Sequence, residues 1–478
     1  MKDQRDRMRM KRDRTVLYHL ARGLVRAALG FYFTRIERFH LENVPLVGPV
    51  LFASNHPNSL TDALVIGTSV PRKVNFVATV QLFRLQPVRW LLTHCGVIAI
   101  NRVKDDPRAM RSVLDTFEAC FRVLERGEAI GIFPEGVTHD DAQLKTVKTG
   151  AARMALEFEQ RHGGKLELQI APVGLTFSAK EIYRSDALVS FGQPIRVADF
   201  LPRFAENRHL GIQALSAEIE HRIQSLIVHL PHLERARIVE AVKRLYLDRL
   251  WVGNTVIHEP VSDRAGELLL TQAIARAVDR TFIEHPGRAA EFARRLDHYE
   301  RALKRLHLSD EVLAQFPERR RMVRQSLAWA AVAIIGAPIA LYGWLHRLLP
   351  YFAVQRSVRR FSEHPGTKTG VATITILSGL VAFTSFYALC VAAFRILFGW
   401  PATIWYALSL PLASLVAHYY LRDLRRFGAS LRAAPVLLRA PSAAQTLLKA
   451  RAQLIELIEA ARRDLRTARA GEKGEIIP

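Results

Sequence analysis

The feature that most constrains this chain is a set of three long apolar stretches in its last third. They span residues 326–345, 371–394 and 402–420, and none of them contains Lys, Arg, Asp or Glu. Each is close to the length that a helix needs to cross a hydrocarbon layer of about 30 Å. Tryptophan and tyrosine residues lie mostly toward their ends, as they do at membrane interfaces. The sequence therefore predicts an integral membrane protein with C-terminal membrane helices within a membrane region at 321–421.

The charges around these stretches predict how they are oriented. Basic segments precede the first stretch, separate it from the second and follow the third, and such segments stay in the cytoplasm. Three full crossings cannot satisfy this pattern, because each crossing moves the next loop to the other side. We therefore expect 326–345 to re-enter the membrane with a bend at 336–338, and the other two stretches to form a spanning hairpin. The alternative is a shallow hairpin of all three in one leaflet.

The net charge and the cysteine content limit the kinds of partner that the protein can bind. The formal net charge of +23 indicates an anionic partner, either nucleic acid or an anionic membrane surface. The three cysteines are far apart and lack metal-ligand spacing, so the sequence predicts no metal site, no disulfide framework and a reducing compartment. The basic amphipathic segment at 1–35 is predicted either to lie at a membrane surface or to pack on the folded domain.

The remaining sequence divides by its periodicity. From 36 to 205, short apolar runs alternate with amphipathic helix patterns, which is typical of an α/β domain. From 206 to 320 the strand-like runs disappear and charged amphipathic helices predict a helical region. The last segment, 422–478, is predicted to be an amphipathic helical tail.

A histidine and an aspartate lie six positions apart in "SNHPNSLTDALV", directly after the apolar run "PVLFA". His56 and Asp62 thus flank a predicted strand-to-helix junction, where α/β folds hold reactive side chains. A carboxylate that accepts a proton from one imidazole nitrogen lets the other nitrogen take a proton from a hydroxyl. Positions six apart lie on different faces of a helix, so the pairing requires the intervening loop to fold back.

Polar residues gather at two further strand ends. "GVIAINR" ends on Arg102, and "GIFPEGVTHD" carries Glu135 and Gly136. In "LKTVKTGAARMAL", Lys145 and Lys148 approach the start of a helix, where backbone N–H groups can also hold phosphate. The alternatives are a salt bridge between Arg102 and Glu135, and a solvated face for the two lysines.

In their order, the blocks "NHPNSLTD", "GVIAINR", "FPEG" and "APVGLTF" resemble those of the phospholipid and glycerol-phosphate acyltransferases, over about residues 45–200. The resemblance implies a mixed sheet flanked by helices and transfer of a fatty acyl group, without a cofactor, from acyl-CoA or acyl carrier protein to a glycerol hydroxyl. By this resemblance His56 is the general base and Asp62 its orienting partner. The residues that would bind the glycerol-phosphate part of the acceptor are Asn55, Arg102, Glu135 and Gly136.

Two departures point to a subgroup. The family usually has four residues between the histidine and the aspartate, whereas this chain has five, and "FPEGVTHD" lacks the usual threonine and arginine. Both variants are similar to those of fungal glycerol-3-phosphate and dihydroxyacetone-phosphate acyltransferases. Without that arginine, Lys145, Lys148 or His139 would hold the acceptor phosphate.

The expected partners are acyl-CoA, a glycerol-phosphate or lysophospholipid acceptor and membrane lipids. The acceptor stays open between glycerol 3-phosphate and lysophosphatidate, with dihydroxyacetone phosphate or another lysophospholipid as alternatives. A membrane-anchored nucleic-acid-binding protein is a rival interpretation, but the basic residues are dispersed and no nucleic-acid motif is recognisable. A transporter would need more spans and charges within them. The expected location is the membrane, with the catalytic domain on the cytoplasmic face.

Overall fold

The computed structural model describes residues 2–83, 86–100, 110–139, 143–180, 182–230, 232–252, 263–314, 319–362, 371–439 and 441–472. The strands in these ranges are β1 (Arg35–Phe39), β2 (Val50–Ser54), β3 (Val74–Thr79), β4 (Ile98–Ile100), β5 (Ala129–Ile132), β6 (Gln169–Phe177), β7 (Asp186–Phe191) and β8 (Ile195–Arg196). The helices are α1 (Lys2–Tyr32), α2 (Leu60–Ser69), α3 (Gln86–His94), α4 (Met110–Leu124), α5 (Gly150–Arg161), α6 (Leu201–Glu206), α7 (Arg208–Ser225), α8 (Ala236–Val252), α9 (Asp263–Glu284), α10 (Pro286–Arg305), α11 (Asp310–Ala314), α12 (Arg319–Ser362), α13 (Val371–Arg439) and α14 (Pro441–Glu472).

The strands form one mixed sheet in the order β1-β7-β6-β2-β5-β3-β4, with β8 paired to β6. Strand β2 is parallel to both β5 and β6, whereas β7 runs antiparallel to β6. This confirms the mixed α/β sheet, in which each of the strands β2 to β7 is formed by an apolar run of the sequence. Strand β1, "RIERF", was missed because charged residues interrupt it and none of its side chains is fully buried.

The sheet has an apolar cluster on each face, as the pleat of a strand requires. Leu51 and Ile130 belong to the cluster that α4, α5 and α7 cover, whereas Val50 and Phe52 belong to the other. Both faces are therefore covered, which explains why the central strands read as unbroken apolar runs. Helix α7 contributes Leu215 among other residues to the first cluster. It packs on the sheet, although the sequence analysis assigned it to the helical region at 206–320.

The chain divides into two compact units, and the first contains Met1–Pro231, Val261–Leu268 and Val358–Leu377. The beginning of α13 therefore belongs to the unit that holds the sheet. Ala372 is buried in the second apolar cluster, and the hydroxyl oxygens of Thr373 and Thr61 lie 3.0 Å apart. The second apolar stretch of the sequence starts inside the core of the sheet unit.

The second unit contains a core formed by α8, α10, α11 and α14. Within it Tyr299 donates a hydrogen bond to Asp310, and the Arg451 guanidinium lies 3.1 Å from the same carboxylate. Burial is the main cause that raises the pKa of the Tyr299 hydroxyl, and its hydrogen bond to Asp310 raises this pKa further. Helix α14, which the sequence predicted as an amphipathic tail, is thus a core element of this unit.

The apolar stretches lie in two long helices, α12 and α13. Helix α12 continues through Pro338, so the bend predicted at 336–338 is wrong. Among the described residues, Val371–Leu424 is the one helix long and apolar enough to cross a membrane. It contains both later stretches, and Gly399, with φ 71°, interrupts the helical backbone between them. Rings of Phe394 and Tyr406 stack across this break at 4.2 Å.

Candidate active site

The carboxyl end of β2 is fixed by the side chain of Asn55. Its amide nitrogen donates to the backbone oxygen of Leu175 at 2.9 Å, and its oxygen accepts from the backbone N–H of Leu175 at 2.7 Å. Asn55 thus extends the pairing of β2 with β6 by one residue. Asn55 was predicted to bind substrate, whereas in the structure its buried amide is hydrogen-bonded to the neighbouring strand β6. Its effect is to hold the next residue, His56, at a defined place on the sheet edge.

His56 and Asp62 are in direct contact. The imidazole Nδ1 donates to Asp62 Oδ2 at 2.8 Å, and the backbone N–H of Asn58 donates to the same oxygen at 2.7 Å. The loop between them folds back, as the six-residue spacing required, and Ser59 adopts φ 56°, which is unusual for a residue other than glycine. This confirms the predicted pairing.

The Asp62 carboxylate carries an electrostatic cost. It is fully buried, and its second oxygen, Oδ1, has no hydrogen-bond partner. Burial raises the pKa of Asp62, and its contacts with His56 and the Asn58 N–H only partly oppose this increase. Burial thus makes the ionised carboxylate more costly, and its contact with the His56 imidazole offsets part of this cost.

The imidazole of His56 is held flat against Phe133. The two rings are 3.9 Å apart and inclined by only 11°, and 16% of the His56 side chain is exposed. Because Nδ1 carries the proton shared with Asp62, Nε2 of the neutral ring carries a lone pair. The arrangement suits a general base that takes a proton from a bound hydroxyl.

The Glu135 carboxylate contacts the backbone of His56 and two residues of the loop after β5. Its carboxylate is buried, and Oε1 accepts from the backbone N–H of His56 at 2.8 Å. The other oxygen accepts from the backbone N–H of Lys145 at 2.9 Å and from His139 Nε2. Both oxygens have partners, so Glu135 braces the loops around His56, and its predicted role in binding the acceptor stays a prediction.

Three of the residues predicted to bind the acceptor phosphate, His139, Lys145 and Lys148, lie on the loop that follows β5. Gly136 has φ 66°, and a Cβ at that position would overlap with the ammonium of Lys148. The backbone N–H of Lys148 donates to Pro134 at 2.9 Å, so the loop closes on itself. In this loop His139 has a buried Nδ1 without a hydrogen-bond partner. Arg102 lies outside the described residues.

Lys180, which follows β6, is a residue near the site that no sequence block indicates. Its ammonium donates to the backbone oxygen of Pro57 at 2.9 Å and to that of His139 at 3.3 Å. Its position after β6 could have indicated that it lies near His56, because β6 is parallel to β2 and the carboxyl ends of both strands lie at one edge of the sheet. Among the described residues, no group of three or more His, Cys, Asp or Glu is arranged to hold a metal ion.

Comparison with known proteins finds a family model and several relatives that match part of this chain. Residues 35–176 match the family model described as Acyltransferase. The chain is 26% identical over 203 residues to glycerol-3-phosphate O-acyltransferase 1 of Saccharomyces cerevisiae, a match that covers 42% of this chain and 25% of that protein. It is 29% identical over 131 residues to a chloroplastic 1-acyl-sn-glycerol-3-phosphate acyltransferase of Arabidopsis thaliana, covering 27% of this chain and 35% of that protein.

The matched part of this chain thus spans between 25% and 35% of the length of these two relatives. Among solved structures, the chain is similar to the 1-acyl-sn-glycerophosphate acyltransferase of Thermotoga maritima. The identity is 17% and the TM-score 0.34, with 45% of this chain and 82% of that chain covered.

Proposed function

We propose that the chain, whose residues 35–176 match the Acyltransferase family model, is a membrane-bound O-acyltransferase of phospholipid biosynthesis. The proposed reaction moves a fatty acyl group from acyl-CoA or acyl carrier protein to a hydroxyl of glycerol 3-phosphate or lysophosphatidate. The observation that carries the proposal is the 2.8 Å contact between His56 and Asp62 within the matched domain. This contact supplies a base whose tautomer is fixed and whose protonated form is stabilised.

The proposed mechanism is direct transfer. Nε2 of His56 takes the proton of the acceptor hydroxyl as its oxygen attacks the carbonyl carbon of the thioester. The tetrahedral intermediate collapses, the carbon–sulfur bond breaks, and the proton passes from His56 to the departing thiolate. Asp62 stabilises the imidazolium between these two proton transfers. No acyl-enzyme forms, because the acceptor itself brings the nucleophilic oxygen.

Acceptor phosphate is proposed to bind at the loop after β5. Lys148 and Lys145 bring two ammonium groups to this loop, and ammonium groups bind phosphate as point charges. The unpartnered Nδ1 of His139 offers a hydrogen-bond acceptor for a second acceptor hydroxyl. Arg102 remains a predicted ligand. The two relatives have different acceptors in their names, so both acceptors belong in the same experiment.

Membrane attachment is proposed through α13. Few side chains of its apolar part, Val371–Leu424, are buried in the structure, as expected of a helix that lipid would surround. Its first turn is anchored in the sheet unit through Ala372 and Thr373. We propose that the acyltransferase domain lies on the cytoplasmic face, where basic segments flanking the apolar stretches would also remain.

The test is release of free thiol from acyl-CoA by the purified full-length protein, with glycerol 3-phosphate and lysophosphatidate offered in parallel. We expect acceptor-dependent release with one of them, and a loss of about 10² to 10⁴-fold in His56→Ala. His209→Ala is a matched control, because His209 is exposed on α7. Wild-type turnover in a folded His56→Ala protein would contradict the assigned base, and no release with any glycerol-phosphate or lysophospholipid acceptor would contradict the function.

A further inference from the structure

Lys180 closes a ring of contacts around the catalytic histidine. Its ammonium donates to the carbonyl of Pro57, the residue directly after His56, and also to the carbonyl of His139. His139 contacts Glu135 through its side chain, and Glu135 accepts the backbone N–H of His56. The ring therefore joins the loop that carries the base to the loop that follows β5.

We propose that Lys180 is a positioning residue, which sets the distance between His56 and the acceptor-binding loop after β5. The inference rests on the proposed acyl transfer and deepens it, because it assigns a role that none of the four sequence blocks contains. Lys180 acts through the two carbonyl groups and does not touch the reacting atoms.

The loop on which Lys180 acts is one that needs support. Ser59 has φ 56°, and residues held in sparsely populated backbone regions persist only where surrounding contacts determine them. The same loop must keep the Asn58 N–H and the His56 ring on one oxygen of a buried carboxylate. Pro57 lies between His56 and Asn58 in the chain, so the hydrogen bond from Lys180 to the Pro57 carbonyl fixes the backbone that connects the His56 ring to the Asn58 N–H.

The charge of Lys180 has a second effect on the same pair. Its positive charge opposes the increase that burial causes in the pKa of Asp62, together with the nearer contacts from His56 and Asn58. Lys180 thus favours the ionised carboxylate that orients His56. A neutral side chain of similar length would remove the charge and both hydrogen bonds, whereas arginine would keep the charge and planar donors.

Steady-state kinetics of Lys180→Met and Lys180→Arg, in the full-length protein, separate positioning from substrate binding. We expect Lys180→Met to lower kcat about 10- to 100-fold with little change in either KM, since small displacements of a catalytic group cost rates of that order. Lys180→Arg should recover most of kcat. Lys165→Met is the matched control, because Lys165 is exposed. An increase in acceptor KM with unchanged kcat would overturn the inference and make Lys180 a phosphate ligand.

Hydrogen exchange at the Asn58 amide tests the same inference without any activity. This N–H is protected by its contact with Asp62, so loosening the loop should accelerate its exchange about tenfold in Lys180→Met but not in Lys165→Met. Unchanged exchange would overturn the positioning role. If the wild-type protein released no thiol, the proposed function would fail while this exchange measurement still decided the role of Lys180.

Discussion

Replacing Asp62 by asparagine tests the catalytic pair with little change of shape. The asparagine side chain would retain the volume of the aspartate but not the charge that fixes the Nδ1 proton of His56. A hydrogen bond to a charged group contributes about 1.5 to 3 kcal/mol, and each 1.36 kcal/mol corresponds to a factor of about ten in rate. We therefore expect kcat to fall about 10- to 150-fold.

The assay is thiol release with both substrates saturating, so that kcat is measured and not binding. Asp199→Asn is a suitable control, since Asp199 is an exposed aspartate in the same domain. Folding of each variant is checked by its thermal unfolding. A folded Asp62→Asn protein whose kcat stayed within about threefold of wild type would refute the role of Asp62, because that change corresponds to well under about 1 kcal/mol.

Asp62→Asn should also be stabilised relative to wild type, by an amount that depends on pH. Burial raises the pKa of Asp62 in the folded protein above its unfolded value, which is about 3.9. A group with a raised folded pKa stabilises the protein fully below the unfolded pKa, and this contribution is lost as pH rises through the folded pKa. Asparagine does not ionise, so the melting temperature of Asp62→Asn relative to wild type should increase as the pH rises above about 4, the unfolded pKa of an aspartate. A difference that is flat or falls over this range would contradict the inferred cost of the buried carboxylate.

Three further predictions concern the acceptor site, the sheet and the membrane region. Lys148→Met should raise the acceptor KM about 10- to 100-fold while leaving that of acyl-CoA nearly unchanged, whereas an equal loss for both substrates would argue against phosphate binding. Asn55→Ala should lower the free energy of unfolding by about 2 to 4 kcal/mol in a denaturant titration, because it leaves a buried N–H and a buried carbonyl of Leu175 unpaired; wild-type stability would show that neither contact matters. In a cysteine-free background, Ala402→Cys should react with an impermeant thiol reagent on intact cells and Ser357→Cys should not, while the reverse labelling would contradict the proposed orientation of α13.

The sheet and the catalytic pair could be predicted because each rests on a pattern along the chain. Central strands covered on both faces require unbroken apolar runs, and "PVLFA" and "AIGIF" are such runs. His56 and Asp62 follow one of them at a spacing that a single folded loop can close. The local sequence was sufficient to predict both features. The central strands pair within a regular sheet, and His56 and Asp62 are close to each other in the chain.

The contacts of Glu135 could not be predicted, because two of its partners are backbone N–H groups. Backbone donors are present at nearly every residue, so no residue type identifies them in a sequence. The sequence suggested a residue that binds the acceptor or a salt bridge with Arg102, whereas in the structure the buried carboxylate accepts hydrogen bonds from the backbone N–H groups of His56 and Lys145. The continuous helix at Pro338 has a similar explanation, since proline removes one hydrogen bond but a long helix supported by neighbours can continue past it.

The beginning of α13 connects the catalytic pair to the proposed membrane attachment. Thr61 directly precedes Asp62 in α2, both are fully buried, and the Thr61 hydroxyl contacts Thr373 in the first turn of α13. Ala372 is packed in the same apolar cluster as α2 residue Val65. A shift of α13 along its axis would therefore disturb the helix that carries Asp62.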